Sequence, residues 1–129
     1  NNKKSANTYS PVIGIFLKQS LENKSLTITG DGSQTRDFIN VLDTARICYE
    51  IALNDKAKNE IYNVCSGRRI SIQQLADIIS PNQTYIERTY GEVEHIHGDN
   101  SKLKQIGIEP KISLEDGIDN LKQYILSGK

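Results

Sequence analysis

The sequence predicts an α/β fold, a small mixed α+β lobe of about five helices and four short strands. Three observations carry that expectation. Apolar residues recur at helical spacing in four windows, which marks one face of an α-helix in each, and a fifth short helix through Leu103 and Ile106 is framed by a cap and a glycine. Four short stretches rich in β-branched and aromatic residues read as strands. The 129 residues suit one domain, with no internal repeat, low-complexity tract or linker to divide them.

Taken in order, residues 1–9 are polar and Asn-rich, a flexible stretch expected to be ordered only by contact with something else. Ser10-Pro11 opens a helix, because proline lacks an N–H that the first turn leaves unbonded anyway. Ile13, Phe16, Leu17, Ser20 and Leu21 form its face. Leu26-Thr27-Ile28-Thr29 alternates as a strand does, and Gly30-Asp31-Gly32 turns it. Residues 38–41 read as a second strand. Asp43 is the expected N-cap of the next helix, with Thr44, Ile47, Cys48, Ile51 and Ala52 as its buried face. Residues 60–64 read as the third strand. Ser71-Ile72-Gln73-Gln74 matches a capping box ahead of the apolar stripe Ile72, Leu75, Ala76 and Ile79, and Pro81 ends that helix. Residues 84–87 form the fourth strand. Asp99 or Asn100 caps a short helix stopped by Gly107, a residue suited to the left-handed geometry of a helix end. Ser113-Leu114-Glu115-Asp116 opens the last helix, with Leu114, Ile118, Leu121 and Ile125 on one face.

Composition narrows the function. Sixteen basic and sixteen acidic residues give a net charge of zero, evenly spread over both halves, so the basic stripe of a nucleic-acid binder is missing. No apolar run approaches the ~18 residues that span a membrane, so neither nucleic acid nor membrane is an expected partner. Two cysteines make no disulfide framework; read as reduced, buried thiols they point to a cytoplasmic location. At 36% hydrophobic the chain is lean, which suits a lobe that completes its core against a partner. The absence of methionine is expected of a piece of a longer product.

Motifs for chemistry are sparse. The chain has no Gly-x-Gly-x-x-Gly, Gly-x-x-Gly-x-x-Gly or phosphate-loop motif, and no tyrosine is followed by lysine four positions later. His95-Ile96-His97 sets two imidazoles on one face of an extended segment near Glu92, Glu94 and Asp99. No third ligand has a persuasive spacing, so they read as surface histidines and no metal is expected. Gly30-Asp31-Gly32 could bring backbone amides close to a phosphate, although alone it reads as a plain turn. Arg68-Arg69 reads as a solvated loop before an anion site.

The stretch Gly30-Asp31-Gly32-Ser33-Gln34-Thr35-Arg36-Asp37-Phe38-Ile39-Asn40-Val41-Leu42-Asp43 is more specific. It resembles the Gly-Asp-Gly-x-Gln-x-Arg-Asp-Phe-[Ile/Val]-x-Val-x-Asp signature of extended short-chain dehydrogenase/reductases, the NAD-dependent epimerases and dehydratases of sugar nucleotides. Ser10-Pro11-Val12-Ile13-Gly14-Ile15-Phe16 resembles the family's helix that opens the substrate lobe. Glu60-Ile61-Tyr62-Asn63-Val64, Ile70-Ser71-Ile72, Gly91-Glu92-Val93-Glu94-His95, Asp99-Asn100-Ser101-Lys102 and Glu109-Pro110-Lys111-Ile112-Ser113 follow in the family's order and spacing.

The resemblance implies that Arg36 lays its guanidinium on the diphosphate of a nucleoside-diphosphate sugar; the alternative is a surface arginine paired with Asp37. A planar, permanently charged fork suits phosphate oxygens. Thr27 and Thr29 would offer strand backbone groups to the nucleobase, and Val12 would lie on the helix that flanks the nucleotide. The family's second phosphate-binding arginine falls in Arg-Pro-Gly-Asp, where this chain has Arg88-Thr89-Tyr90-Gly91-Glu92. Thr89 holds the arginine's position, and Arg88 stands one residue early. A slip of one residue on a strand turns a side chain to the other face, whereas from a loop Arg88 could still reach.

The resemblance also implies an architecture: an N-terminal NAD(P)-binding Rossmann domain followed by a C-terminal substrate lobe. Residues 10–129 match the lobe, so the Rossmann domain, the catalytic tyrosine and lysine and the dimerising helices are expected upstream and not in this chain. The expected function is to hold a UDP-sugar for NAD-dependent C4 epimerisation, with no cofactor and no catalytic residue in this chain. A 4,6-dehydratase or decarboxylase of the same family is the first alternative. A stand-alone binding module, or an inactive piece that self-associates through the face meant for the Rossmann domain, is the second.

Overall fold

A computed structural model of the chain describes residues 11–88, 91 and 93–128, so the expectations for residues 1–10, Thr89 and Glu92 lie outside the described residues. The elements in order are α1 (Val12–Leu21), β1 (Leu26–Thr29), β2 (Thr35–Arg36), α2 (Val41–Leu53), a 3-10 turn (Asp55–Ala57), β3 (Ile70–Ser71), α3 (Ile72–Ile79), β4 (Gln83–Ile86), α4 (Ser101–Gln105) and α5 (Leu114–Leu126). The α/β class with five helices and four short strands stands. The strands form two ribbons: β1 runs parallel to β4 from Leu26↔Gln83 to Thr29↔Ile86, and β2 pairs antiparallel with β3.

The main core forms where α1 and α3 cover the inner face of β1. Strand alternation buries Leu26 and Ile28 and turns Thr27 and Thr29 outward. Phe16 and Leu17 of α1 and Ile72, Leu75 and Ala76 of α3 close over them, with Ile118 of α5 at the edge. Each such side chain contributes roughly 1.5–3 kcal/mol relative to exposure. The α3 capping box is formed in full: Ser71 Oγ accepts the Gln74 amide at 3.0 Å, and Gln74 Oε1 accepts the Ser71 amide at 2.9 Å. A second, smaller core joins Ile47 of α2 to Leu103 and Ile108, with Tyr62 and Val64 packed against it.

Several sequence expectations are corrected. The helix expected to start at Asp43 starts at Val41, because the Asn40 side chain accepts the Leu42 amide at 2.9 Å and caps it. Residues 38–40 are therefore extended without being laddered, and the second strand is the short β2. Asp43 is instead 1% exposed and serves as a bolt. One carboxylate oxygen meets Arg46 at 2.7 Å; the other accepts the amides of Lys111 and Ile112 at 2.8 and 2.7 Å. Burial alone would raise the Asp43 pKa, yet the Arg46 and amide hydrogen bonds win and hold it below the usual carboxylate range. Residues 60–64 have strand composition but no ladder partner among the described residues; a strand exists only through its neighbour. Glu60 and Tyr62 are instead held by Lys102, through a 2.6 Å ion pair and a cation–π contact at 5.0 Å.

Cys48 was expected inside and is exposed, while Cys65 is half-buried; both are free thiols. The cause is that α2 is apolar on two sides. Ile47 faces inward, and Val41, Leu42, Tyr49 and Leu53 point outward at 66–76% exposure. At the short α4, Asp99 Oδ1 accepts the Ser101 amide at 2.8 Å, and Gly107 adopts the expected positive φ of 80°. In α5 only Ile118 of the expected apolar face is fully buried, with Leu121 and Ile125 open to solvent.

Candidate functional site

In a parallel ladder every second residue bonds to the neighbour, and the others turn their N–H and C=O to the opposite edge. Leu26 N donates to Asn82 O and Gly30 N to Ile86 O, so the backbone groups of Thr27 and Thr29 face the edge away from β4. Gln19 of α1 takes the first of these positions: the Thr27 amide donates to Gln19 Oε1 at 3.1 Å, and Gln19 Nε2 donates to Thr27 Oγ1 at 2.8 Å. At the second position Gln34, only 6% exposed, donates through Nε2 to the Thr29 carbonyl at 2.9 Å. The Thr29 N–H faces the same edge, with no partner among the described residues.

The chain then turns at Gly30-Asp31-Gly32. Gly32 has a φ of 75°, and a Cβ there would sit 3.1 Å from both Ile28 Cγ2 and Gln73 Cβ, so the turn depends on glycine. Asp31 folds back onto this turn, where hydrogen bonds from Ser33 hold its carboxyl below the usual range. Over Gly30 lies the stem of Arg88, with Cβ, Cγ and Cδ all 3.7–3.8 Å from where a Cβ on Gly30 would be. Arg88 stands two residues beyond β4, in a loop, so strand alternation does not decide its direction. Its guanidinium meets Glu94 Oε1 at 3.5 Å.

Arg36 approaches the same segment from the other side. Residues 94–96 run along β2: the Thr35 amide donates to Glu94 O at 2.9 Å, the Ile96 amide donates to Thr35 O at 3.0 Å, and Thr35 Oγ1 lies 3.1 Å from His95 Nδ1. The Arg36 guanidinium donates to two neutral carbonyls, Thr35 O at 2.8 Å and Glu94 O at 3.5 Å. Among the described residues no carboxylate pairs with it. The adjacent Asp37 is engaged elsewhere: its oxygens accept the Ser66 amide at 2.8 Å, the Ser66 hydroxyl at 2.7 Å and the Gly67 amide at 2.9 Å. The reading of Arg36 as an arginine paired with Asp37 therefore fails.

Of the five residues singled out from the sequence, Arg36 and Arg88 converge on Glu94, and Thr27 and Thr29 line the strand leading to the turn beneath Arg88. Val12 takes no part in these contacts and packs in the half-buried shell of the main core. Gln34 and Gln19 were not singled out, and Glu94 was named only as an acidic neighbour of the histidine pair. Gln34 stood in the signature without a role, and nothing in residue type marked Gln19.

The other candidates resolve simply. His95 faces Thr35, and no group of three or more His, Cys, Asp or Glu side chains suited to a metal occurs among the described residues. Burial, with the Asp37 charge behind it, pushes the Cys65 thiol up and away from reactivity. Arg68 is exposed on the rim of a concavity of about 320 Å³ that Lys104 and Lys111 share. A larger, apolar groove of about 510 Å³ lies between the start of α2 and α5, lined by Phe38, Val41, Leu42, Leu114, Leu121 and Tyr124 among others. Neither concavity is lined by Arg36 or Arg88. A dinucleotide cradle needs a glycine turn leading into a helix N-terminus, whereas Gly30–Gly32 leads into β2. No helix of the described residues is long and apolar enough to cross a membrane.

Known proteins agree with this architecture. Residues 2–65 match the model of the NAD-dependent epimerase/dehydratase family. A putative UDP-glucose 4-epimerase of Methanocaldococcus jannaschii is 38% identical over 120 residues, covering 88% of this chain and 38% of that protein. The structure of a UDP-N-acetylglucosamine 4-epimerase from Methanobrevibacter ruminantium, in complex with UDP-N-acetylmuramic acid, superposes with a TM-score of 0.84 at 29% identity, covering 96% of this chain and 42% of that one. A mutant UDP-glucuronic acid 4-epimerase from Bacillus cereus, in complex with UDP-4-deoxy-4-fluoro-glucuronic acid and NAD, gives 0.80 at 29% identity, covering 93% of this chain and 41% of that one. A decarboxylase and a 4,6-dehydratase also occur among the relatives. The chain spans about two fifths of the length of these proteins. With the Gly30–Asp43 signature folded into a turn, a free arginine and a capped helix, the chain belongs to the NAD-dependent epimerase/dehydratase family.

Proposed function

We propose that this chain is the sugar-nucleotide-holding lobe of an NAD-dependent epimerase, acting on a UDP-sugar at C4. The observation that carries the reading is the Arg36 guanidinium, which among the described residues touches neutral carbonyls and no carboxylate, on the same Glu94 that Arg88 meets from above Gly30. A diphosphate carries several acceptor oxygens, and charge-assisted bonds to guanidinium groups are roughly twice as strong as neutral ones. The open edge of β1 at Thr29 offers an N–H to a nucleobase, and the helix bearing Val12 would flank the nucleotide. On this reading the lobe contributes orientation and electrostatic grip, and the groups for hydride and proton transfer lie outside this chain.

A second feature supports a lobe that works against another domain. The outward side chains of α2 and the apolar groove beside α5 form a face that a nucleotide-binding domain would cover.

The test is made on the natural gene product that carries this chain. UDP-glucose is titrated calorimetrically and UDP-glucose/UDP-galactose interconversion is assayed. Arg36→Ala is expected to weaken UDP-sugar binding at least tenfold, with Arg36→Lys recovering only part because lysine lacks the fork. Wild-type affinity in Arg36→Ala would overturn the site. Loss of water or CO2 from the sugar, in place of C4 inversion, would move the assignment to a dehydratase or decarboxylase. Titrating the 129-residue chain with UDP separates a stand-alone binder from a lobe that needs its partner, for which weak or absent heat is expected.

A further inference from the structure

We propose that Asp37 is a positioning residue of the site, holding Arg36 in its ligand-ready geometry while taking no part in compensating the guanidinium charge. The inference rests on the reading of Arg36 given above. Asp37 is one residue from Arg36, and the simplest expectation for such neighbours in a loop is an ion pair. The geometry excludes it by saturation. One oxygen of Asp37 accepts the Ser66 amide and hydroxyl at 2.8 and 2.7 Å; the other accepts the amides of Gly67 at 2.9 Å and Gly98 at 3.3 Å. Four donors fill the ~four lone-pair sites of a carboxylate, so nothing remains for a guanidinium.

One of those bonds, from the Gly98 amide, also bears on where Arg36 sits, while the other three fix Asp37 to residues 66 and 67. Segment 94–98 lies along residues 35–37 and is attached at both ends: at Thr35 through Glu94 O and the Ile96 amide, and at Asp37 through the Gly98 amide. Arg36 is the residue between the two attachments. Its guanidinium rests on carbonyl oxygens that belong to this pair of strands, Thr35 O and Glu94 O. Releasing Asp37 frees one end of segment 94–98 and with it the Glu94 carbonyl. The attachment is built closely. A Cβ on Gly98 would collide with Cys65 Sγ and lie 3.1 Å from Asp37 Oδ2, and the Asn100 side chain donates to Cys65 O at 3.1 Å. Three distant segments thus meet at one carboxylate, and the arginine is aimed from the knot.

The experiment is a double-mutant cycle on the natural gene product, with UDP as the titrated ligand. Arg36→Ala, Asp37→Asn and the double variant are compared. Asparagine keeps the shape but has one acceptor oxygen and turns an NH2 toward amide donors. Asp37→Asn is expected to weaken UDP binding about tenfold when Arg36 is present and less than twofold when it is absent. Equal weakening in both backgrounds would mean that Asp37 acts on the fold alone, and overturns the inference. If Arg36→Ala itself leaves UDP binding unchanged, the Arg36 reading fails and this inference falls with it; if Arg36→Ala weakens binding but the cycle is additive, only the inference falls. Should Asp37→Asn not fold, Ser66→Ala removes one of the four bonds and is expected to weaken UDP binding two- to threefold, again only with Arg36 present.

Discussion

The interface of α1, β1 and α3 and the outer face of α2 have similar residues and opposite fates. In the first, Phe16, Leu17, Leu26, Ile28 and Leu75 are all at 0–1% exposure. In the second, Val41, Leu42, Tyr49 and Leu53 are at 66–76%. Both patterns are helical or strand-like in period, so periodicity marks what can be buried and not what is. A region that closes on itself needs nothing more from the molecule, whereas an apolar face left open is a surface awaiting a neighbour.

Substitutions sharpen that contrast. Phe16→Ala in the closed region is expected to cost about 3–5 kcal/mol, read as a fall in the urea midpoint, and a cost below 1 kcal/mol would show that the region is not a finished core. Asp43→Asn lies at the border between the two regions and is expected to cost about 1–3 kcal/mol, since it leaves amide donors of Lys111 and Ile112 poorly matched. The pH dependence follows from the direction of its shift. The folded pKa of Asp43 is below the unfolded value of about 3.9, so its contribution is fully present above that value and is lost as pH falls through the folded pKa. Wild-type stability should decline in acid below about pH 4, and Asp43→Asn should flatten that part of the curve. Ser71→Ala, which opens the capping box of α3, is expected to cost about 1 kcal/mol by the same measurement. Tyr49→Ser on the open face should stay within about 0.5 kcal/mol in this chain alone. A larger loss there would mean that the face is covered after all, by a second copy of the chain.

Legibility followed the range of the interactions. The capping box at Ser71 and Gln74, the alternation at residues 26–29 and the stop at Gly107 are local, and all were readable from neighbouring letters. The two-residue strands β2 and β3 carry no pattern of their own and exist only because Thr35 meets Ser71. Asp43 reads as a cap because its composition and position suit one, yet its true partners arrive from residues 111 and 112. At the site, Arg36 stood out through the signature, whereas the filled carboxylate that leaves it free depends on Ser66, Gly67 and Gly98, which no window around Asp37 contains.

The parallel pairing of β1 with β4 has a consequence for how the molecule assembles. Ser25 and Asn82, at the start of that ribbon, are 57 positions apart; Thr35 and His95 are 60 apart, and Asp37 and Gly98 are 61 apart. Each of these three contacts closes a loop of nearly half the chain, at an entropic cost that must be met before the contact returns anything. Helices α3 and α5 can form early from their own caps, while the contacts between residues 35–37 and 95–98 come together late in folding. In a stopped-flow refolding experiment, helical signal should precede recovery of nucleotide binding, and a nick in the loop between α2 and β3 should abolish binding before it unfolds the helices.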